Sequence, residues 1–261
     1  MKIAAWNVNS IRVRLPHVLA WLAQHQPLVL CLQELKCEAS AFPFAEIEAA
    51  GYYAVVAGQK AYNGVALISK EPALDVVVGI PGFNDEQQRV IAGTCAGVRV
   101  ISVYCPNGES LTSEKYAYKL RWYAALHDYL KAELKQHTEL LVAGDYNIAP
   151  EDRDVYDPVA WKGEVLCSDA ERAVFSQLLQ LGLVDSFRLF AQEDKIYSWW
   201  HYRVNAFKRN MGLRIDHLLI STALSQRCTA SGVDRAPRAL ERPSDHAPIF
   251  AEFSASSNPN S

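Results

Sequence analysis

Six short apolar runs in this chain each stop on a small polar set, and that recurrence constrains the fold more than any other feature. "KIAAW" ends at Asn7, "LVLCLQ" at Glu34, "VRVISV" at Tyr104 with Pro106 and Asn107 beyond it, and "LLVAG" at Asp145 and Asn147. "LRI" runs into Asp216 and continues as "HLLIS"; Asp245 and His246 stand just before "APIFAEF". Short runs this apolar suit strands buried on both faces. An Asp or Asn at one strand end is ordinary turn chemistry. Six such ends in one chain point instead to a shared edge where polar groups meet.

Between these runs lie helical patterns. Leu15, Val18, Leu19 and Leu22 recur at helical spacing, with Ser10 as the N-cap. A long helix is predicted over roughly 113–136, with Leu120, Tyr123, Ala124, Leu126 and Leu130 near one face, and another near 169–182. "YYAVVAG" and "GVALIS" read as strands, with a turn at Asn63-Gly64. Further strands are expected near 196–200, 213–220 and 247–253. No repeat or composition shift divides the 261 residues, half of them apolar. We therefore expect one α/β domain over 1–253, of the α+β type, its sheets mainly antiparallel and covered by helices. The tail over 254–261, "SASSNPNS", reads as disordered. Neither a G-x-G-x-x-G nor a P-loop motif occurs, which argues against a doubly wound nucleotide-binding fold.

The formal net charge of −3 means that any polyanion site must be a local patch. The six cysteines include no C-x-x-C pair and sit mostly in apolar runs, as expected of reduced, buried thiols. With no signal-peptide pattern and no run long enough to span a bilayer, a soluble cytoplasmic protein without a membrane partner is expected.

If the six strand ends converge, several carboxylates crowd together, and their repulsion calls for a cation. Carboxylate and amide oxygens without cysteine or clustered histidine suit a hard ion, Mg²⁺ or Mn²⁺. His246 has a carboxylate neighbour in Asp245, and another such as Asp216 could orient its ring. A carboxylate–His pair beside a hard metal can activate water or stabilise charge on a phosphoryl group.

The motifs "WNVNSIR", "LQELK", "GQKAYNGVALIS", "VYCPNGE", "GDYNIAP", "YSWW", "GLRIDHLLIS" and "ERPSDHAPIFAEF", in this order, resemble the exodeoxyribonuclease III family of DNA-repair nucleases. The resemblance runs from residue 1 to about 253. It implies a four-layered α/β sandwich, two packed sheets flanked by helices, with the site at one edge. It also implies Mg²⁺-dependent phosphodiester hydrolysis on duplex DNA: 3′→5′ exonuclease action, removal of blocked 3′ ends, and incision at abasic sites. On that pattern Glu34 is the principal metal ligand, with Asn7 and Asp245 close to the ion. Asp145 and Asn147 adjoin it too, and position and deprotonate the attacking water. Tyr104 and Asn107 hold the phosphate, and Asp216 orients His246 against the scissile bond. A monomer acting on double-stranded DNA is expected, in the cytoplasm alongside the nucleoid.

Residues 195–214, "KIYSWWHYRVNAFKRNMGLR", carry five Lys/Arg and no acid, interleaved with Trp199, Trp200, Tyr202 and Phe207. Basic groups for phosphates and aromatics for stacking or wedging suit a damaged duplex. Arg89, Trp199, Trp200, Arg203 and Leu213 are the expected substrate contacts, with Arg12, Lys115 and Lys119 as further phosphate candidates. Relatives usually read close to S-W-F-D-Y-R where this chain has "SWWHYR". Trp200, with the rim segment 151–168 and its Trp161 and Leu166, is therefore expected to bias substrate choice towards exonuclease action. The alternatives are an exonuclease-specialised member and a phosphoesterase of the same superfamily with another substrate.

Overall fold

A computed structural model describes residues 1–255; the tail expected over 254–261 lies almost wholly outside the described residues. The chain runs β1 (Lys2–Asn7), α1 (Ile11–His25), β2 (Val29–Gln33), α2 (Phe44–Ala49), β3 (Tyr53–Ala57), β4 (Val65–Ser69), β5 (Leu74–Val78), β6 (Val90–Cys95) and β7 (Val98–Tyr104). It continues through α3 (Glu114–Gln136), β8 (Leu140–Asp145), α4 (Asp169–Gln180), β9 (Leu183–Asp185), β10 (Asp216–Ser221), α5 (Thr222–Ser225), β11 (Cys228–Val233) and β12 (Ile249–Phe253).

Two six-stranded sheets form, ordered β11-β12-β1-β2-β4-β3 and β5-β6-β7-β8-β10-β9. Each holds one parallel pair, β1/β2 across α1 and β7/β8 across α3, and antiparallel pairs elsewhere. Both follow the same plan: a hairpin, a β–α–β crossover, a second hairpin. The strand faces explain the apolar runs. Ile3 and Ala5 of β1 join Val98, Val100, Leu141 and Leu218 in the layer between the sheets. Ala4 and Trp6 face Val18, Trp21 and Leu22 of α1. On the far side Ile101, Val103 and Val142 pack against Trp122, Leu126 and Leu130 of α3 and Phe175 of α4. The result is the expected four-layered sandwich. All six cysteines are free thiols. No helix among the described residues is long and apolar enough to cross a membrane.

Some local expectations are corrected. Residues 196–200 form no strand; Trp199 makes isolated bridges to Leu213 and His246. Ser10 precedes α1 with φ 90° and makes no side-chain cap; its N–H instead reaches Glu34 O, 2.7 Å away. Strands β5, β6, β9 and β11 and helices α2 and α5 were not anticipated: β5 and β11 are largely exposed or half-buried outer strands, β6 is interrupted by Gly93 and Thr94, and β9 and α5 have only three and four residues.

Register brings the polar strand ends together. Tyr104 pairs with Asp145 across β7/β8, and Asp145 with Asp216 across β8/β10. Asn7 pairs with Gln33, next to Glu34, in the other sheet. Gln33 Nε2 donates to Ser102 Oγ at 3.1 Å, a polar link between the two sheets. Gly144 sets how closely β8 approaches β7. Its φ is +147°, and a Cβ there would lie 2.0 Å from Val103 O. Gly144→Ala should therefore shift β8 and destabilise the fold by about 2 kcal/mol or more, read from the denaturant midpoint.

Behind the same edge lies a buried ionic group. Arg214 donates to Asp154 (2.7 Å) and Asp185 (2.8 Å), and its NH1 to His217 Nδ1 (3.0 Å). His217 Nε2–H then donates to Ile148 O at 2.9 Å, so the ring is neutral. Burial first, then the Arg214 charge, holds its pKa down at about 4. Because the folded value lies below the ordinary 6.5, the stability this neutral ring provides is complete above pH 6.5 and is lost as pH falls through about 4. His217→Gln should flatten that loss, which amounts to roughly 3 kcal/mol at most. Equal slopes for wild type and variant in unfolding midpoints between pH 7 and 4 would contradict this account.

Candidate active site

The amide of Asn7 sits at the centre of the edge. Its Nδ2 donates to Glu34 Oε1 at 2.8 Å and to Asp145 Oδ2 at 2.9 Å, tying one carboxylate from each sheet to a single group. Its Oδ1 accepts from Asn9 N. Glu34 and Asn147 both occupy left-handed backbone conformations, at φ 52° and 50°. Such strain in Glu34 costs on the order of 1 kcal/mol and is typical of functional positions. It turns the Glu34 side chain back toward Asn7 as the chain leaves β2.

His246 completes the group. Its Nδ1–H donates to Asp216 Oδ2 at 2.9 Å, and its Nε2 lies 3.7 Å from Asp145 Oδ2. Asp216 is in turn fixed by Ser198, whose hydroxyl donates to Oδ2 at 2.6 Å. Burial by itself disfavours an imidazolium here, but Asp216 and Asp145 outweigh it and push the His246 pKa well up. Burial, reinforced by Asp216, pushes the Asp145 carboxyl up, although His246, Asn7 and the Asn147 amide oppose it. The pair is thus suited to sharing and moving a proton near neutrality. Tyr104 is held neutral, its phenol well above the ordinary range through burial and the charges of Glu34 and Asp145.

Asn147 is fixed on three sides. Its N–H donates to Asp145 Oδ1 (2.9 Å), its Nδ2 to Cys105 O (3.0 Å), and its Oδ1 accepts from Asn107 Nδ2 (3.0 Å). Asp245 stands to one side, accepting from Asn9 Nδ2 at 2.9 Å and Trp199 Nε1 at 3.0 Å. Burial would raise its carboxyl, but His246 and these hydrogen bonds hold it below the usual range.

The donors fit a hard cation. Single ligand atoms of Glu34, Asp145 and His246 lie within 4.8 Å of one another, and the carboxylates supply oxygens of the required type; Asn7 turns its Nδ2 to both of them and its oxygen to Asn9. Asp245, expected beside the metal, lies outside this group and is tied to it through Asn9 and Trp199. Lys36 Nζ contacts Glu34 Oε2 at 2.9 Å and partly balances its charge.

Other expected contacts fall out unevenly. Trp199 is half-buried at the site, and Arg203 is exposed on the adjoining loop. Arg89 stacks on Tyr104, 4.8 Å from its ring centre, and donates to Tyr104 O and to Gln87. It helps line an open groove of about 670 Å³ that also takes in Tyr62, Gln87, Tyr104 and Asn107. Trp200 is a correction: its ring is fully buried against Tyr197, Ala206 and Ala247, and Nε1 donates to Asn210. Leu213 is another, wholly buried with Val155 and Leu166. Neither side chain reaches the surface; both support the wall that carries Trp199. Lys119 and Arg214 are also internal. The groups not anticipated are Asn9, Ser198, Lys36 and the Lys119–Glu171 pair. "WNVNS" hinted at Asn9, and a lysine on the apolar stripe of α3 was the available signal for Lys119.

Carboxylates for a hard ion, a proton-sharing Asp–His pair and amide donors at one edge of a two-sheet sandwich define a phosphoester hydrolase. The model of the Endonuclease/Exonuclease/phosphatase family matches residues 4–246, and this chain belongs to that family. It is similar to exodeoxyribonuclease III of Haemophilus influenzae, at 40% identity over 97% of this chain and 100% of that protein. Among solved structures it resembles a 3′ phosphatase, NExo, from Neisseria bound to a product DNA hairpin. There the identity is 49% and the TM-score 0.96, over 98% of this chain and 100% of the other. It also resembles an AP endonuclease from Archaeoglobus fulgidus, at 39% identity and TM-score 0.94 with the same coverage.

Asp216→Asn should remove the main support of the His246 cation, so the imidazole should titrate well below its wild-type value. NMR titration of the ring protons would show this; an unchanged His246 pKa would mean that Asp145, not Asp216, sets it.

Proposed function

We propose that this chain is a Mg²⁺-dependent DNA-repair nuclease that hydrolyses phosphodiesters at the 3′ ends of duplex DNA, trims blocked 3′ ends and incises at abasic sites. The observation that carries this reading is the Asn7 amide joining Glu34 and Asp145 beside His246, whose ring is held by Asp216 with Nε2 facing Asp145. Glu34 and Asp145 would hold the ion, with Mn²⁺ able to substitute. When bound there, it would supply Lewis-acid polarisation of the phosphoryl oxygens and offset their negative charge.

The chain's own residues divide the remaining work. Asp145, its carboxyl raised by burial, takes the proton of the attacking water, and Asn147 fixes the water's direction. Water adds to phosphorus as the sugar oxygen leaves. Tyr104 and Asn107 donate to the phosphate. His246, kept protonated by Asp216, stabilises the charge that accumulates on the phosphoryl group. Trp199 and Arg203 on one side, and Arg89 with its groove on the other, track the duplex. Action as a monomer in the cytoplasm, on the DNA of the nucleoid, is part of the same proposal.

A narrower reading, an exonuclease without abasic-site activity, draws on Leu166. That residue is buried in the rim with φ 76°, packed with Leu213 and Trp161. Two labelled duplexes with purified protein and Mg²⁺ decide between them, one with an internal abasic site and one with a recessed 3′ end. Cleavage of both is expected. Asp145→Asn should lower both rates by about 100-fold or more, and EDTA should abolish them. Digestion from the 3′ end alone would identify the specialised exonuclease, and inertness towards both duplexes would overturn the DNA reading. Leu166→Gly should then raise abasic incision relative to exonuclease action if the rim sets the balance.

A further inference from the structure

Helix α3 presents an apolar stripe of Trp122, Tyr123, Leu126 and Leu130 to the sheet, and one turn before it stands a lysine. Lys119 is fully buried, as is its partner Glu171 on α4. A buried ion pair gives up hydration worth several kcal/mol per ion, and an apolar pair of similar volume is often at least as stable. The placement therefore needs a reason other than stability.

The reason lies in what Lys119 Nζ touches. Its three N–H groups meet three acceptors: Glu171 Oε1 at 2.5 Å, Asn147 O at 2.7 Å and Asn107 O at 3.0 Å. The two carbonyls belong to the two asparagines at the exits of β7 and β8, whose side chains bond to each other. Asn147 is in the left-handed conformation, which points its carbonyl inward, where only Lys119 meets it among the described residues. Gly108, next to Asn107, lies directly on the lysine stem; a Cβ there would come within 3.2 Å of Lys119 Cδ. Glu171 is held equally firmly. It accepts from Leu166 N (2.9 Å), Ser168 N (3.0 Å) and Ser168 Oγ (2.6 Å), within the capping box that starts α4.

We propose that Lys119 and Glu171 are a positioning pair for the hydrolysis, setting the separation and orientation of Asn107 and Asn147 by clamping both backbones to the N-terminus of α4. The proposal rests on the reading that these asparagines contact water and phosphate. Neither member of the pair reaches substrate. Loss of the clamp frees two loops to drift by a fraction of an ångström, and misplacement of that order costs about 10- to 100-fold in turnover.

The test is a double-mutant cycle on the full chain, reading kcat, KM and Tm with the recessed 3′ duplex. Lys119→Met/Glu171→Gln removes both charges and retains the capping box, since Gln serves at that position. Its kcat should fall about 10- to 100-fold with KM within about 2-fold, and Tm should fall by several degrees because the Asn107 and Asn147 carbonyls lose their donor. Asn147→Ala should fall further, and the triple variant should be no slower than Asn147→Ala alone, because the pair acts through that residue. Arg99→Met/Glu133→Leu, which removes a buried pair at the opposite end of β7 and α3, should keep wild-type kcat.

Wild-type kcat in Lys119→Met/Glu171→Gln, alongside a damaged Asn147→Ala, overturns the proposal alone. Losses that multiply in the triple variant do the same. Wild-type kcat in Asn147→Ala overturns the underlying role of Asn147 and the proposal with it. If the Lys119 substitution prevents folding, Glu171→Gln takes its place in the cycle, with the same non-additivity expected.

Discussion

Two carboxylates from different sheets share one amide, and the rest of the site depends on it. Lys36 holds Glu34, and Asn147 and His246 hold Asp145, but only the Asn7 side chain donates to both carboxylates and sets their spacing. The amide can hold both because its two N–H groups diverge at a fixed angle, and because its oxygen is itself fixed by the Asn9 backbone. Strand register does the coarse placement and this amide the fine placement. The close β7/β8 approach allowed by Gly144 sets where Asp145 lies relative to Tyr104.

The local chemistry is one of opposing charges kept apart by a few ångströms. Asp145 is pushed toward its neutral form by burial and Asp216, while His246 is pushed toward its cation by Asp216 and Asp145. The shared proton therefore rests on His246, and Asp145 is left as the ionisable carboxyl nearest to it. Several residues that carry this chemistry or adjoin it, Asn9, Glu34, Lys36 and Asn147, lie at positive φ, as do turn residues elsewhere in the chain. Only packing on both sides of each sheet can hold so many unfavourable backbones in place.

The central strands were legible because both their faces are buried, so β1, β2, β7 and β8 appear as largely apolar runs that stop where the site begins, and β4 as one that starts there. Strands β5 and β11, exposed or half-buried, carry no such run, and in the buried β6 Gly93 and Thr94 interrupt it. Asn7, Glu34, Asp145, Asn147, Asp216 and His246 could be picked out as strand-end residues, and the structure brings them together. Trp200 and Leu213 were misplaced for a simple reason. In an irregular segment, which of two adjacent residues faces inward depends on a parity that composition does not record, and here Trp199 faces the site while Trp200 faces the core. Lys119 was assigned to the surface because lysine usually belongs there; only its place on the α3 stripe said otherwise.

Behind the site, the Gln33–Ser102 hydrogen bond spans the gap between the sheets. The interdigitated Val, Leu and Ile side chains between the sheets already oppose sliding through clashes and voids, and the hydrogen bond adds direction to that packing. A directional bond has a single preferred alignment. Placed immediately behind the strand ends, it acts as a dowel that fixes how far one sheet has travelled along the other. The catalytic edge thereby inherits its alignment from a residue pair that never meets the substrate, and wear at that pair would blunt the enzyme long before the sandwich came apart.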